Sequence, residues 1–178
     1  MRVIAGEFRS RLLKSVPGLD TRPTPDRLRE SLFSILAPRV EGVTFADLYA
    51  GTGAVGIEAL SRGAARVIFA ESNRSALRTI HDNLHSLGVE SRADVRQARA
   101  SQTISKIDAD IVFLDPPYTM EAEYRTCLEL LGARPPERMP KLVIAQHSPR
   151  LKLEETYGAL HRTRELKQGD NVLSFYKP

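Results

Sequence analysis

The sequence predicts an α/β fold built on a doubly wound, mostly parallel sheet. From Val43 onward, short β-branched apolar runs alternate with segments whose apolar residues recur at helical spacing. Such alternation is typical of parallel strands joined by crossover helices. Two apolar runs on either side of residues 168–170 predict a closing antiparallel hairpin. Residues 1–40 lack the alternation, so we expect them to form a small hairpin-and-helix extension.

The individual elements follow from these patterns in chain order. We predict short strands or a hairpin around Gly6, and then a loop rich in turn residues. The strands predicted for the sheet span residues 43–49, 65–71, 91–98, 111–115, 141–147, 157–166 and 171–177. The helices predicted between them span residues 54–63, 73–88 and 120–131, and Gly88 is the predicted stop of the second.

A further helix is predicted before the sheet. Thr24-Pro25-Asp26 combines a threonine N-cap, a proline in the first helical position and an acid in the first turn. Leu28 and Leu32 follow at helical spacing and predict a buried face, whereas Arg29 is predicted to point outward. We expect Pro38 to end this helix.

Composition indicates one globular domain. The chain has 178 residues, of which 42% are hydrophobic, and no apolar run approaches the roughly 18 residues that a membrane helix needs. Cys127 is the only cysteine, so an intrachain disulfide is impossible and a reducing cytoplasmic environment is expected. The four histidines do not have the spacing of metal ligands, and we expect no bound metal. We expect a monomer without a membrane anchor.

Positive charge is concentrated near the N-terminus. Residues 1–40 contain eight basic and four acidic side chains, so this segment carries the whole formal net charge of +4. Arginine dominates the basic set, and its guanidinium group matches phosphate oxygens and stacks on bases. The asymmetry favours a nucleic-acid contact over a merely solvated face. The side chains that we expect to contact RNA are Arg2, Arg9, Arg11 and Arg22.

The first strand of the sheet runs into a glycine-rich loop. Gly51, Gly53 and Gly56 satisfy the pattern G-x-G-x-x-G, and Glu71 ends the next strand, as in dinucleotide sites. Asp47 precedes this loop inside the strand end. A carboxylate there would repel a pyrophosphate but suits the ammonium group of a methionine moiety. The loop therefore favours S-adenosylmethionine, and a nicotinamide-dependent reductase stays open as an alternative.

A second motif, Asp115-Pro116-Pro117-Tyr118, directly follows the buried run at residues 111–114. The two prolines end strand pairing and hold the next residues in a stiff turn. A plain strand exit accounts for one proline and the acid, but it does not account for an aromatic residue directly after them. Methyl-transfer enzymes place their reacting group at this point, which is a further reason to favour S-adenosylmethionine.

Together these motifs resemble a known family. "DLYAGTGAVGIEALSRGA" with "DPPY" resembles class I S-adenosylmethionine-dependent methyltransferases. "RVIAGEFRSRLL", "TRPTPDRLRESLFSIL" and the closing "QGDNVLSFYK" are similar to the RsmD-like family of bacterial 16S rRNA guanine-N2 methyltransferases. The resemblance implies a Rossmann-like sheet of seven strands with an antiparallel last strand. We accordingly expect a basic RNA-contacting extension at residues 1–40 and an S-adenosylmethionine-binding domain at residues 41–178.

The resemblance also implies which residues hold the cofactor. These are Thr24, Asp47, Tyr49, Gly51, Thr52, Gly53, Glu71, Ser72, Arg99 and Ala100. Asp47 would face the methionine moiety and Glu71 the ribose hydroxyls, while the turn at Thr24 would close the site. Arg99 stands where the family usually has an acid or an amide that faces the adenine amino group. Adenine recognition is therefore expected from backbone groups near Ala100.

The same resemblance makes Asp115, Pro116, Pro117 and Tyr118 the catalytic group, and 16S rRNA, free or within an assembled small subunit, the partner. A guanine N2 lone pair is delocalised into the ring, so the nitrogen must pyramidalise before it can take a methyl group. We expect the Asp115 carboxylate and the Pro116 carbonyl to accept hydrogen bonds from this amine. Tyr118 would stack on the flipped or unpaired base.

Other functions stay open at this point. N6-adenine methylation of DNA or RNA, and glutamine methylation in a protein, present an sp² nitrogen to a similar four-residue motif. A non-catalytic RNA-binding protein on a methyltransferase scaffold is a different class, since a fold does not fix a function. Binding of NADH but not S-adenosylmethionine would establish the reductase.

Overall fold

The computed structural model describes residues 1–16 and 25–178, so the predicted roles of Thr24 and Arg22 lie outside the described residues. The α-helices of the described chain are α1 (Asp26–Leu36), α2 (Ala54–Ser61), α3 (Arg74–Leu87), α4 (Ala100–Ile104) and α5 (Glu121–Gly132). The strands are β1 (Thr44–Asp47), β2 (Arg66–Glu71), β3 (Ala93–Gln97), β4 (Ile111–Leu114), β5 (Leu142–His147), β6 (Thr156–Tyr157), β7 (Leu160–Gln168) and β8 (Asn171–Lys177).

These strands form one sheet in the order β3-β2-β1-β4-β5-β8-β7-β6. Strands β1 to β5 are parallel, whereas β8 lies antiparallel between β5 and β7. The predicted mostly parallel α/β sheet with an antiparallel last strand is confirmed. The strand count is larger than the predicted seven because the two-residue strand β6 pairs with the outer edge of β7.

Helices cover both faces of the sheet, as a doubly wound fold requires. On one face α1, α2 and α3 bury apolar side chains against β1 and β2, with Phe45 and Phe69 fully buried. On the other face α4 and α5 pack against β4 and β5, and Cys127 of α5 is fully buried there. The lone cysteine is therefore a small core side chain.

The strand order reverses between β1 and β4, which are adjacent although two strands and three helices separate them in sequence. Crossover helices leave such a point from opposite faces, so a crevice opens at the carboxyl ends of the strands. Three acidic residues reach this edge: Asp47 and Glu71 end β1 and β2, and Asp115 directly follows β4. The topology thus brings together residues that are up to 68 positions apart in the chain.

The N-terminal hairpin is reduced to a single antiparallel bridge between Arg2 and Leu12, instead of two predicted strands. Backbone hydrogen bonds run from Val3 N–H to the Arg11 carbonyl at 3.0 Å and from Leu13 N–H to the Met1 carbonyl at 3.0 Å. The chain around Gly6 turns tightly, and this leaves few residues for a longer ladder.

This hairpin is anchored on the end of α2. The buried Glu58 carboxylate accepts hydrogen bonds from the N–H groups of Ile4 at 2.8 Å and Ala5 at 3.1 Å. Gly6 has a φ of +83°, and a Cβ at this position would run into the backbone carbonyl of Ser61. A glycine is therefore required by both the backbone angle and the close approach of the two segments.

Arg29 corrects the prediction for the first helix. It was expected to point outward, but it is fully buried. Its Nη2 donates to the Arg2 carbonyl at 2.9 Å and pairs with Asp26 at 2.7 Å. The N-terminal residues cover this side of α1, so the helix buries a second face that its apolar spacing does not reveal. The helix begins at Asp26, one residue later than predicted, and ends before Pro38.

Along the described residues, no helix is both long enough and apolar enough to cross a membrane. The same residues contain no group of three or more His, Cys, Asp or Glu side chains arranged to hold a metal ion. His147, at the end of β5, is buried and lies 2.8 Å from the Ser174 hydroxyl through Nε2. Burial lowers the pKa of this imidazole, which fits a structural role.

Candidate active site

A cavity of about 760 Å³ lies at the carboxyl ends of the parallel strands. The predicted site residues that line it are Asp47, Tyr49, Gly51, Thr52, Glu71, Ser72, Arg99, Ala100, Asp115, Pro116, Pro117 and Tyr118. Gly53 does not line the cavity but is the N-cap residue directly before α2. Both predicted groups, for the cofactor and for the target base, therefore share one space.

Two glycines of the glycine-rich loop have backbone angles that residues with a side chain adopt only with strain. Gly51 and Gly53 have φ angles of +54° and +79°, in the left-handed region that favours glycine. The Gly53 N–H donates to the Ala50 carbonyl at 2.7 Å and closes the turn. Gly56 has a different role, because a Cβ there would collide with the Phe69 ring and push α2 off the sheet.

Glu71 is held by the loop that it faces. Its Oε2 accepts a hydrogen bond from the Gly51 N–H at 2.9 Å, and its Oε1 accepts one from the Asn73 N–H at 2.8 Å. Each carboxylate oxygen has a second acceptor direction. The side chain is half-buried and lines the cavity, so it can accept hydrogen bonds from vicinal hydroxyls without being displaced from the loop.

Asp47 is a nearly buried carboxyl in the cavity wall, with 1% of its surface exposed. Its Oδ2 accepts a hydrogen bond from the Gly56 N–H at 3.0 Å. Burial raises the pKa of Asp47 to about 7, the Gly56 hydrogen bond opposes this, and the Glu71 charge adds to it. A cation bound beside Asp47 would stabilise its ionised form. The site is therefore complementary to an ammonium group and unsuited to a pyrophosphate.

Tyr49 connects the glycine loop to α5. Its hydroxyl donates to Glu123 Oε2 at 2.7 Å and lies 3.3 Å from the Sγ of Cys127. Burial raises the pKa of the Cys127 thiol to about 11, so the thiol is protonated near neutral pH. Glu123 lines the cavity but was not predicted, because its spacing on an amphipathic helix gives no sign of which side chains it will meet.

The residues predicted from the sequence to face adenine line the part of the cavity between β2 and α4. Ser72 and Arg99 are exposed there, while Ala100 is buried at the start of α4. The first N–H groups of a helix have no partner within the helix. The start of α4 at Ala100 therefore has backbone donors without a partner within the helix, and recognition of adenine by them stays a prediction.

The turn after β4 is braced by α5. The hydroxyl of the buried Tyr124 lies 3.4 Å from the Pro116 carbonyl and 2.5 Å from the Gln146 carbonyl. The Met120 N–H donates to the Pro117 carbonyl at 2.8 Å. These contacts fix the positions of the backbone carbonyls around Asp115 before any ligand arrives.

Tyr118 is held at the mouth of the cavity by a residue from the far end of the chain. Its ring is 45% exposed, and its hydroxyl donates to Asn171 Oδ1 at 3.0 Å. Asn171 starts β8 and lines the cavity. It was predicted only as part of the C-terminal hairpin. Gln146, near the end of β5, also lines the cavity and was likewise not predicted as a site residue.

The predicted RNA-contacting arginines that the structure describes are Arg2, Arg9 and Arg11, and all three are exposed. Arg11 has an additional structural contact, because its Nη2 donates to the Ser86 carbonyl near the end of α3 at 2.7 Å. The hairpin is thus attached to both α2 and α3, and it presents Arg2 and Arg9 from a fixed position.

Comparison with known proteins decides the family. The sequence profile of the family described as "Conserved hypothetical protein 95" matches residues 1–177. The chain belongs to this family. A relative from Bacillus subtilis, named "Putative rRNA methyltransferase YlbH", is 36% identical over nearly the full length of both proteins, 99% of this chain and 98% of its own. "Ribosomal RNA small subunit methyltransferase D" of Escherichia coli is 38% identical over 66% of this chain and 60% of its own length.

Solved structures agree with this assignment. The Escherichia coli protein described as "Putative methyltransferase yhhF" superposes with a TM-score of 0.82 and 31% identity, covering 99% of this chain and 97% of that one. An RNA methyltransferase from Salinibacter ruber in complex with S-adenosyl-L-homocysteine has a TM-score of 0.63 and 17% identity, covering 87% and 92%, and shows the shared fold alone. The RsmD-like resemblance and the Rossmann-like methyltransferase fold are confirmed.

Proposed function

We propose that the protein transfers a methyl group from S-adenosylmethionine to the N2 amine of a guanine in 16S rRNA. One observation carries the proposal: a buried carboxyl suited to an ammonium group and a rigid Asp-Pro-Pro-Tyr turn line the same cavity. The rRNA methyltransferase names of the family relatives support RNA as the substrate class. The exposed arginines of the hairpin agree with it.

The cavity residues fit S-adenosylmethionine chemically. Asp47 would pair with the amino group of the methionine moiety, and Glu71 would accept the ribose hydroxyls. Gly51 leaves the loop backbone open, since a Cβ there would meet no atom within 4 Å. Once bound, this cofactor supplies an electrophilic methyl group on a sulfonium sulfur.

The role of the Asp-Pro-Pro-Tyr turn is to orient the amine. The Asp115 carboxylate and the Pro116 carbonyl would each accept one N–H of the exocyclic NH₂ group, so the nitrogen lone pair is directed away from both. These preorganised acceptors also stabilise the positive charge that develops on the nitrogen. One proton then leaves to Asp115 or to water, and the neutral methylated amine remains. Tyr118 would hold the base plane by stacking.

The proposal is tested by offering the purified protein labelled S-adenosylmethionine with 16S rRNA, assembled small subunits, duplex DNA or a protein extract. Label is expected in rRNA or the subunit, and not in DNA or protein. Calorimetry with NADH is the parallel control, and we expect no binding. Transfer to DNA or protein alone, or binding of NADH without S-adenosylmethionine, would overturn the proposed function.

A further inference from the structure

Gln146 lies in the cavity wall with an unsatisfied amide oxygen. The residue is 4% exposed, and its Oε1 has no hydrogen-bond partner among the residues that the structure describes. A buried polar atom without a partner destabilises the fold, so native proteins keep few of them and each one needs an explanation. Because Gln146 lines the cavity, a rotation of its side chain would bring the amide to a ligand there, and that ligand can supply the missing partner.

Strand register places this amide beside Asp115. Strands β4 and β5 are parallel, and Leu114, the last residue of β4, pairs with Ala145, so Asp115 and Gln146 each directly follow a residue of this last registered pair. Neighbouring strands lie about 4.8 Å apart, and residues in register point to the same face of a sheet. Asp115 and Gln146 therefore lie at the same edge of the sheet, and both line the cavity.

Helix α5 ties the backbone after Asp115 to the backbone of Gln146, while the Gln146 amide itself can turn. Tyr124 contacts the carbonyls of both Pro116 and Gln146 through one hydroxyl, at 3.4 and 2.5 Å. The oxygen and nitrogen of a primary amide exchange places by a half-turn about the terminal torsion. Gln146 can thus offer an acceptor and a donor to one planar ligand that is already anchored on Asp115.

We propose that Gln146 reads the Watson–Crick edge of the target guanine. The inference rests on the function proposed above, in which Asp115 accepts a hydrogen bond from the N2 amine. Beside that amine, guanine presents the N1–H donor and then the O6 acceptor. The Gln146 amide oxygen accepts from N1–H and its NH₂ group donates to O6, so one side chain makes two hydrogen bonds to the base.

Adenine does not match this arrangement. With its N6 amine on Asp115, adenine presents an N1 acceptor next and only a C–H beyond it, so the amide makes one hydrogen bond. A site built to hydrogen-bond a substrate group strongly rejects an analogue that lacks it. Gln146 is therefore a specificity-determining residue that separates guanine-N2 from adenine-N6 methylation.

The experiment uses 2-aminopurine, which keeps the C2 amine but has an N1 acceptor and a hydrogen at C6. The methylated guanine is first mapped with the wild-type protein, and an RNA fragment is then made with guanine or 2-aminopurine at that position. Single-turnover methyl transfer is measured for each. Wild type is expected to favour guanine by roughly 10- to 100-fold, the effect of one or two lost hydrogen bonds. Gln146→Met, of similar size, should lose most of this preference through a slower guanine reaction.

Gln168→Met is the matched control. Gln168 also has a buried Oε1 without a partner in the described chain, but it does not line the cavity. Its rates and its guanine preference should equal those of wild type. S-adenosylmethionine affinity, measured by calorimetry, should be unchanged in both variants, which shows that each is folded. Gln146→Leu provides a second apolar replacement at the same position.

The outcomes separate the two proposals. An unchanged guanine preference in Gln146→Met and Gln146→Leu, with normal guanine-N2 methylation, would overturn the role of Gln146 and leave the proposed function standing. A wild-type protein that methylates no guanine N2 in rRNA would overturn the proposed function itself. A preference lost only in the Gln146 variants supports both.

Discussion

The Tyr118 hydroxyl donates a hydrogen bond to Asn171 Oδ1 at 3.0 Å, which joins the Asp-Pro-Pro-Tyr turn to the first residue of β8. The ring of Tyr118 is half-exposed at the cavity mouth, whereas Asn171 is 5% exposed. The buried amide therefore helps to orient an aromatic ring that stands at the cavity mouth. In the proposed function, this restraint prepares a stacking surface for the target base and lowers the entropy cost of binding it.

Substitution at Tyr118 separates stacking from hydrogen bonding. Tyr118→Ala should slow methyl transfer by roughly 5- to 150-fold, because base–aromatic stacking contributes about 1–3 kcal/mol per base. Tyr118→Phe and Asn171→Ala should each slow it by only about 2- to 12-fold, the effect of one neutral hydrogen bond. The double variant should be no slower than either single one. Equal losses for Tyr118→Phe and Tyr118→Ala in single-turnover assays would contradict stacking.

The pH dependence of cofactor binding should follow the ionisation of the Asp47 carboxyl. Since burial raises its pKa to about 7, the carboxyl becomes protonated as the pH falls through 7 and loses its attraction for an ammonium group. S-adenosylmethionine affinity in calorimetry should therefore fall below about pH 7. Asp47→Asn should bind S-adenosylmethionine weakly at every pH. Its binding free energy should be less favourable than that of wild type at pH 8 by roughly 1.5–3 kcal/mol. A pH-independent affinity in wild type would contradict this assignment.

The raised pKa of Asp47 should also make the free energy of unfolding depend on pH. The direction is opposite to that of cofactor affinity, because the protonated carboxyl favours the folded state. The folded-state pKa is about 7 against an ordinary value of 3.8, so the folded state binds more protons between these values. Its contribution to stability is complete below pH 4 and is lost as the pH rises through 7, by on the order of a few kcal/mol. Asp47→Asn should therefore raise the free energy of unfolding at pH 8 and change it little at pH 4. Equal effects at both pH values in urea titrations would contradict the buried charge.

Alanine substitutions at two glycines test the anchoring of the N-terminal hairpin. Gly6 and Gly42 both have positive φ angles, but only at Gly6 would a Cβ meet another atom, the Ser61 carbonyl. Gly42→Ala should cost about 1 kcal/mol of unfolding free energy for backbone strain alone. Gly6→Ala should cost at least about 1 kcal/mol more, because the hairpin must lift from α2. Urea unfolding of the two variants gives the comparison, and equal losses would mean that the contact with Ser61 is not needed.

Arg2 and Arg9 should contribute to RNA affinity through phosphate contacts. Changing both to Gln should weaken binding and lower the salt-dependence slope by up to about one unit per lost contact, with cofactor affinity unchanged. A matched pair, Arg66→Gln with Lys141→Gln, removes the same charge from the amino ends of β2 and β5, opposite the cavity. An equal change of slope in both double variants would mean that net charge, rather than the hairpin, governs binding.

The parts of the fold predicted from sequence are those with long, regular patterns. Helix α3 has a regular amphipathic pattern, and it is followed by Gly88, whose φ of +68° ends the helix as predicted from the sequence. Helix α4 and strand β6 were not predicted, because five and two residues are too few to show a period. Arg29 was placed outward because a single helix shows one apolar face, and only the folded hairpin reveals the second.

The site was recognisable where a polar residue ends an apolar strand. Asp47, Glu71 and Asp115 give this signal, and Gln146 gives the same signal at the end of β5 but was not used. Glu123 and Asn171 carry no local signal, since their roles depend on helix and hairpin contacts made across the chain. Position at a strand end predicts a site, while the residues that brace it are set by tertiary packing.

The most direct measurement is nucleoside mass spectrometry of 16S rRNA after incubation with S-adenosylmethionine and either wild-type protein or Asp115→Ala. Wild type should produce N2-methylguanosine at one position. Asp115→Ala should lower the rate by at least roughly 100-fold, because a preorganised contact to the reacting group is lost, while its S-adenosylmethionine affinity stays within about twofold. Formation of N6-methyladenosine instead, or full activity in Asp115→Ala, would contradict the account.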